Sequence, residues 1–281
     1  MRFEKWQALG NDYLIVERRD LPFELTAERV ARLCRAHTGV GSDGVLVIDD
    51  SASDGPVARL GIFNPDGSQA ELSGNGAREA ALYLRRSGWT DSDVFSIETR
   101  AGEIRPTITG RDTCTLAIGR ASLSSRDFPE GGPEGTAMLS VAGREFAFQH
   151  VSIGNPQCAI EVHAGLDELD LSRYGPPIER SELFPNRTNV SFWRRISAGE
   201  IRARIFERGV GETLSSGTGA CGAAVAAFLR GAISPVTVHL EGGDLVVEVS
   251  EDLDVTLSGW AVPVFRAELS DELIEELREA E

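Results

Sequence analysis

The chain has 281 residues, with 44 acidic against 28 basic side chains and a formal net charge of −16, so nothing in it can form the broad basic footprint of a nucleic-acid partner. Apolar content of 41% with 26% charged residues is that of a soluble globular protein, large enough for one big domain or two ordinary ones. No apolar run nears the roughly 20 residues of a membrane span, the Met1–Lys5 start lacks the apolar core of a signal peptide, and Cys34, Cys114, Cys158 and Cys221 are far apart with no C-x-x-C or clustered His; a cytoplasmic protein with free thiols and no metal is expected.

In chain order, Phe3 to Leu9 and Tyr13 to Val16 read as strands around a turn at Gly10-Asn11-Asp12. Thr26 is a candidate N-cap for a helix over Ala27 to Cys34. Gly39-Val40-Gly41-Ser42-Asp43-Gly44 is too glycine-rich for a core element and reads as a loop. Val45 to Ile48 and Arg59 to Phe63 are strands, and Asn64-Pro65-Asp66-Gly67-Ser68 is the loop after them. Ser73-Gly74-Asn75-Gly76-Ala77 is a polar turn feeding an Ala-rich helix over Arg78 to Arg86. Val94 to Thr99, Glu103 to Thr109 and Thr113 to Ile118 are short strands.

Residues 121 to 136 hold Ser122, Ser124, Ser125, Gly131, Gly132, Pro133 and Gly135, the best linker or exposed loop in the chain. The second half repeats the plan. Strands Phe146 to Val151 and Cys158 to Val162 flank Gly154-Asn155-Pro156. Asn189 to Trp193 and Glu200 to Phe206 are strands, and a polar loop from Glu207 to Thr213 follows. Ser216-Gly217-Thr218-Gly219-Ala220 then feeds a helix over Cys221 to Arg230. Val236 to Leu240, Leu245 to Val249, Val255 to Leu257 and Val262 to Leu269 are strands, and Ser270 is the N-cap of a surface helix over Asp271 to Glu279.

The two halves match residue for residue in places. At a spacing of 143, Ile62-Phe63 falls on Ile205-Phe206, Ser73-Gly74 on Ser216-Gly217, Gly76-Ala77 on Gly219-Ala220 and Ala80-Ala81 on Ala223-Ala224. At a spacing of 144, Gly10-Asn11 falls on Gly154-Asn155 and Glu17 on Glu161. Two copies of one unit predict a pseudo-twofold with one helix N-terminus per half. Such a terminus offers unpaired N–H groups and a positive dipole end to an anion, most simply a carboxylate. Many strands with one principal helix per half predict an α+β fold, each sheet wrapped around its helix.

Three patterns need weighing. Gly217-Thr218-Gly219-Ala220-Cys221-Gly222 fits a dinucleotide fingerprint, but no strand runs into its first Gly, and Glu79 stands where the first half would need the third; a nucleotide site is rejected. Asn11, Asn64, Asn75, Asn155 and Asn189 sit in or beside these loops. Each alone is a turn residue, whereas together they can line a site for amino and carboxylate groups. Glu207-Arg208 reads either as a surface ion pair or as a receptor for a substrate ammonium and carboxylate.

The motifs from Gly10-Asn11-Asp12 through Gly39–Gly44, Phe63–Ser68, Ser73–Arg78, Gly154-Asn155-Pro156, Glu207-Arg208-Gly209 and Glu212–Cys221 resemble, in order and over nearly the whole chain, the diaminopimelate epimerase family. The resemblance implies an N-terminal half of residues 1–118 plus 264–281, a C-terminal half of residues 119–263, and an active site in the cleft between them. It implies interconversion of LL- and meso-diaminopimelate without cofactor or metal, one cysteine acting as base and a second as acid on opposite faces of the α-carbon. The family's substrate contacts fall on Asn11, Asn64, Gly74, Asn75, Asn155, Asn189, Glu207, Arg208, Gly217 and Thr218. The implied partner is a small-molecule substrate, with no nucleic acid and no membrane, and with room for a homodimer.

The departures fall on the chemistry. Ser73 and Ser216 stand where the family has its two catalytic cysteines, and Gln157 where it usually has His. A thiol titrates near pKa 8.5 and lower at a helix N-terminus. A serine hydroxyl needs an activating base, and none is evident in the sequence. Three readings follow: an epimerase whose cysteines were replaced on purpose, a natural amino-acid-binding relative without catalysis, or another isomerase of the same fold. The retained Glu207, Arg208 and Asn64 favour a diaminopimelate-like ligand, with epimerase activity low or absent.

Overall fold

A computed structural model describes residues 1–280. Contacts divide the chain into two compact units, residues 1–116 with 259–281, and residues 117–258. The first contains strands β1 (Arg2–Ala8), β2 (Asn11–Glu17), β3 (Val45–Asp49), β4 (Ala58–Phe63), β5 (Gln69–Ala70), β6 (Ile97–Thr99), β7 (Gly102–Ile104) and β8 (Pro106–Ile108). Its helices are α1 (Ala27–Cys34) and α2 (Gly74–Arg86). Strand β9 (Thr113–Arg120) carries the chain across the division. The second unit contains β10 (Thr136–Val141), β11 (Arg144–Ser152), β12 (Pro156–Glu161), α3 (Leu171–Glu179), β13 (Asn189–Ser197), β14 (Glu200–Glu207), β15 (Gly211–Thr213), α4 (Gly217–Leu229), β16 (Val236–Leu240) and β17 (Gly243–Val249). Strand β18 (Asp254–Trp260) carries the chain back, and β19 (Val262–Glu268) and α5 (Asp271–Glu279) complete the first unit.

The two units repeat one topology. In the first, strands run in the order β19-β1-β2-β3-β4-β6-β7, with β5 paired to β4. In the second the order from β11 is β11-β12-β13-β14-β16-β17, with β15 paired to β14. Both are antiparallel except at the same two places, β2∥β3 and β4∥β6 in one, β12∥β13 and β14∥β16 in the other. Each parallel pair is spanned by a helix, as parallel connections require. The principal helix of each unit therefore packs against its strands. Helix α2 packs on β1, β2, β3 and β8, and α4 packs on β11, β12, β13, β14, β16 and β17. This is the two-fold α+β arrangement that the sequence predicts.

Small side chains explain the close packing. From Gly219 to Ala227 every residue of α4 is buried, and all but Val225 and Cys221 are Gly or Ala. A Cβ on Gly219 would lie 2.7 Å from Ile205 Cδ1, so the sheet approaches this helix as closely as its backbone allows. Larger side chains fill the outer layers. Phe3, Leu14, Val30, Leu33, Phe63 and Ile274 form one core in the first unit, and Phe128, Phe146, Phe148, Ile160, Phe192 and Phe206 one in the second.

Several expectations are corrected. The polar turns before the two principal helices are not separate from them. Ser73 and Ser216 are the N-caps, and Gly-Asn-Gly-Ala and Gly-Thr-Gly-Ala are the first helical turns. Glu103 to Thr109 is two strands, broken before Pro106, which has no N–H to offer a ladder. Val94 makes only an isolated bridge to Thr107, so the strand there begins at Ile97. The stretch 121–136 is pinned rather than free. Ser122 pairs with Ser152, and Phe128, 2% exposed, packs against Phe148, His150 and Phe184. Strands β5, β10 and β15 and helix α3 escaped the sequence reading.

Candidate functional site

The polar loops of each unit converge on the start of its principal helix. In the first unit, Ser73 is in extended conformation and its Oγ accepts the Gly76 N–H at 3.1 Å. This is the side-chain cap that satisfies one of the orphan donors of a helix start. Strand β2 places Tyr13 beside it, and the phenol donates to Ser73 Oγ at 3.2 Å. Just before Tyr13, the Gly10–Asp12 turn is clamped to the Gly39–Gly44 loop. Asp43 Oδ2 accepts from Asn11 Nδ2 at 2.9 Å and from the Asp12 N–H at 3.0 Å. Lys5 closes the clamp on Asp12 at 2.8 Å. Asn75 donates to Asn11 Oδ1 at 3.2 Å and accepts from Arg78. Asn11, Ser73, Gly74 and Asn75 are thus one polar cradle. Asn64 holds its own turn, donating to Ser68 Oγ at 2.9 Å.

Behind the cradle lies a group that the sequence reading passed over. Glu79 is fully buried in α2 and neither carboxylate oxygen has a hydrogen-bond partner. Burial pushes its pKa well above the ordinary value, against the pull of the Arg78 charge, and so favours the neutral acid. The visible signal was a lone carboxylate among the apolar residues Ala77, Ala80 and Ala81.

In the second unit, Ser216 repeats the cap, its Oγ accepting the Gly219 N–H at 3.2 Å. The first-turn N–H groups of Gly217 and Thr218 are not used by this cap. Thr218 Oγ1 accepts from Asn155 Nδ2 at 3.2 Å, and Asn155 Oδ1 accepts from Gln157 Nε2 at 2.7 Å. Gln157 is fully buried, with room for its side chain because residue 222 is glycine. Asn189 ties two loops together, donating to the Pro156 carbonyl at 3.1 Å and accepting the Arg208 N–H at 2.9 Å. Arg208 donates to the Asn186 carbonyl at 3.0 Å, and the next residue, Gly209, donates its N–H to Glu179 at 2.9 Å. Burial raises the Glu207 carboxyl above its usual value, while the Thr213 and Ser216 hydroxyls beside it pull back. Arg208, Asn155 and Gly154 line an open cleft of about 410 Å³ together with Arg126, Asp127 and Asn186. Asn155, Asn189, Glu207, Arg208, Ser216, Gly217 and Thr218 therefore surround one helix start.

Among the described residues no cluster of His, Cys, Asp and Glu could hold a metal ion, and no helix is long and apolar enough to cross a membrane.

Solved structures that share this doubled, sheet-wrapped fold include a racemase and an epimerase. The chain is similar to a probable proline racemase from Agrobacterium radiobacter K84, with TM-score 0.69 and 15% identity over 96% of this chain and 93% of that one. It is also similar to a hydroxyproline epimerase from Agrobacterium vitis, with TM-score 0.66 and 14% identity over 95% and 91%. At the level of sequence, the family profile for diaminopimelate epimerase matches residues 3–124 and 149–262. The diaminopimelate epimerase of Desulfitobacterium hafniense is 39% identical over 98% of this chain and 100% of its own length, and that of Desulforudis audaxviator 41% identical over 94% and 98%. The chain belongs to the diaminopimelate epimerase family and is an isomerase of the epimerase type.

Proposed function

We propose that the chain binds diaminopimelate and interconverts its LL and meso forms, in the cytoplasm and for lysine and cell-wall precursor synthesis. Proton transfer would run through positions 73 and 216 on opposite faces of one α-carbon, without a cofactor. One observation carries the reading: Ser73 and Ser216 each cap a principal helix of 13 residues through the third helical N–H. Two such helix starts can receive the substrate carboxylate and the negative charge that develops on the α-carbon. Asn11, Asn64, Gly74 and Asn75 from one unit, and Asn155, Asn189, Gly217 and Thr218 from the other, are the proposed contacts. Glu207 and Arg208 serve the ammonium and carboxylate of the amino acid. Serine at both positions makes proton transfer slow, because an aliphatic hydroxyl is a far weaker acid than a thiol.

Ser73→Cys together with Ser216→Cys tests this. The double variant is expected to epimerise LL-diaminopimelate and to exchange its α-hydrogen with deuterated solvent. Either single change should restore much less inversion, because inversion needs a group on each face. Unpaired polar groups in the site should reject shorter analogues, so calorimetry is expected to rank diaminopimelate above lysine, glutamate and proline. The serine pair itself favours a second reading, an amino-acid-binding relative without catalysis. Retained binding with a silent double-cysteine variant would select it.

A further inference from the structure

We infer that Tyr13 carries a proton for the N-terminal half-site, working through Ser73 to supply the ionisable group that a serine alone lacks. This rests on the reading of position 73 as the one that exchanges the substrate's α-proton.

The placement is specific. Tyr13 and Ser73 are 60 residues apart and come from a strand and a helix cap, yet the phenol donates to Ser73 Oγ at 3.2 Å. Tyr13 is 6% exposed. Its ring lies where a side chain at position 44 would otherwise stand: a Cβ on Gly44 would be 2.6 Å from Tyr13 Cε1 and 2.3 Å from the Phe63 carbonyl oxygen. Only glycine at 44 leaves the ring its place. Ser73 Oγ also accepts the Gly76 N–H at 3.1 Å. Two donors therefore meet the oxygen, which stabilises negative charge on it and leaves its own O–H free to turn toward a ligand.

The other half is built differently. The residue that repeats Tyr13 at a spacing of 144 is Gln157. Its amide turns to Asn155 at 2.7 Å instead of to Ser216. A carboxamide has no proton to exchange near neutral pH. The two half-sites are unequal, and the phenol belongs to one of them.

The chemistry balances. In the protonating direction, the Ser73 O–H bond breaks as a C–H bond forms at the α-carbanion. The Tyr13 O–H bond then breaks to return a proton to Ser73 Oγ, and a tyrosinate remains. Deprotonation is the reverse, with the tyrosinate as final acceptor. A phenol is a far stronger acid than an aliphatic hydroxyl, so the relay makes accessible a base that Ser73 by itself does not. In this relay Tyr13 acts through Ser73, as a positioning residue.

The test is α-hydrogen exchange of diaminopimelate in deuterated water, followed by mass spectrometry and a chiral assay. The chain as it stands is expected to exchange slowly at one α-configuration, and to invert more slowly still. Tyr13→Phe keeps the ring and should lower kcat for exchange by about 100-fold or more, with KM unchanged. In a Ser73→Cys background the same change should alter exchange by less than about threefold, because a thiol is its own acid. Absence of exchange in the unmodified chain while the double-cysteine variant turns over would overturn the relay and leave the diaminopimelate reading standing. An equal loss from Tyr13→Phe in both backgrounds would make Tyr13 a packing residue and overturn the relay. A double-cysteine variant that neither binds nor turns over diaminopimelate would overturn that reading, and the relay with it.

Discussion

Substituting Gly222 by alanine should destabilise the chain, although the same change in most helices stabilises. Helix propensity favours alanine over glycine by about 1 kcal/mol. Against this, a Cβ at position 222 would lie 2.7 Å from Gln157 Cβ and 2.8 Å from its Cγ, far inside ordinary contact. Overpacking of that kind costs roughly 1–3 kcal/mol. Displacing Gln157 also strains its 2.7 Å bond to Asn155, adding about 1 kcal/mol. The net is a loss of about 1–3 kcal/mol, or roughly 2–12 °C in Tm at about 2–4 °C per kcal/mol. Urea unfolding of Gly222→Ala measures it. A companion variant makes the reasoning refutable. Gln157→Gly removes both clashing carbons, so Gly222→Ala made on top of it should become stabilising by up to about 1 kcal/mol. The same sign of effect in both backgrounds would show that Gly222 is not there to make room for Gln157.

Three further outcomes follow from described contacts. Glu79 has its pKa raised in the fold, so the folded chain holds its proton above the pH at which the unfolded chain loses it; stability from this group is full below the unfolded value near 4.5 and falls as pH rises toward the folded one. Glu79→Gln should therefore gain on the parent chain between pH 5 and pH 8 in urea midpoints, and a growing deficit over that range would contradict a neutral Glu79. Phe128→Ala should cost about 3–5 kcal/mol, a core-sized loss from a segment with the composition of a linker, and a loss under 1 kcal/mol in urea would show that the ring is not held. Asn189→Ala should weaken diaminopimelate binding in calorimetry by about tenfold or more, because it frees the Arg208 N–H and the Pro156 carbonyl together; unchanged affinity would separate that loop from the ligand.

Much of the fold was legible because the chain writes its plan twice. Alternating apolar strands and the Thr26, Ser73, Ser216 and Ser270 positions located most strands and four helices. Helix α3 was hidden by Gly175, Pro176 and Pro177, which read locally as a break. It is held by burial of Leu171 and Ile178, by an Asp170 side-chain cap on the Arg173 N–H at 3.2 Å, and by Phe206, whose ring lies 2.5 Å from where a Cβ on Gly175 would be. Topology could have found it, since α1 joins the parallel pair β2 and β3 and an equivalent helix is due between β12 and β13. The polar residues near each helix start were visible as motifs. Their connections were not. Tyr13 meets Ser73, and Asn155 meets Thr218, only once strand registers are set, and no local pattern encodes those.

The capping role of Ser73 and Ser216 gives these two positions a second consequence. A serine hydroxyl is among the strongest N-cap acceptors, whereas a thiol is a weak one. Cysteine at either place would loosen the first turn of its unit's principal helix, by about 1 kcal/mol each. On the proposed mechanism, the residues that would quicken proton transfer are the ones that slacken the scaffold. A chain selected for durability would drift toward serine at both caps, and one selected for turnover would tolerate the softer helix starts.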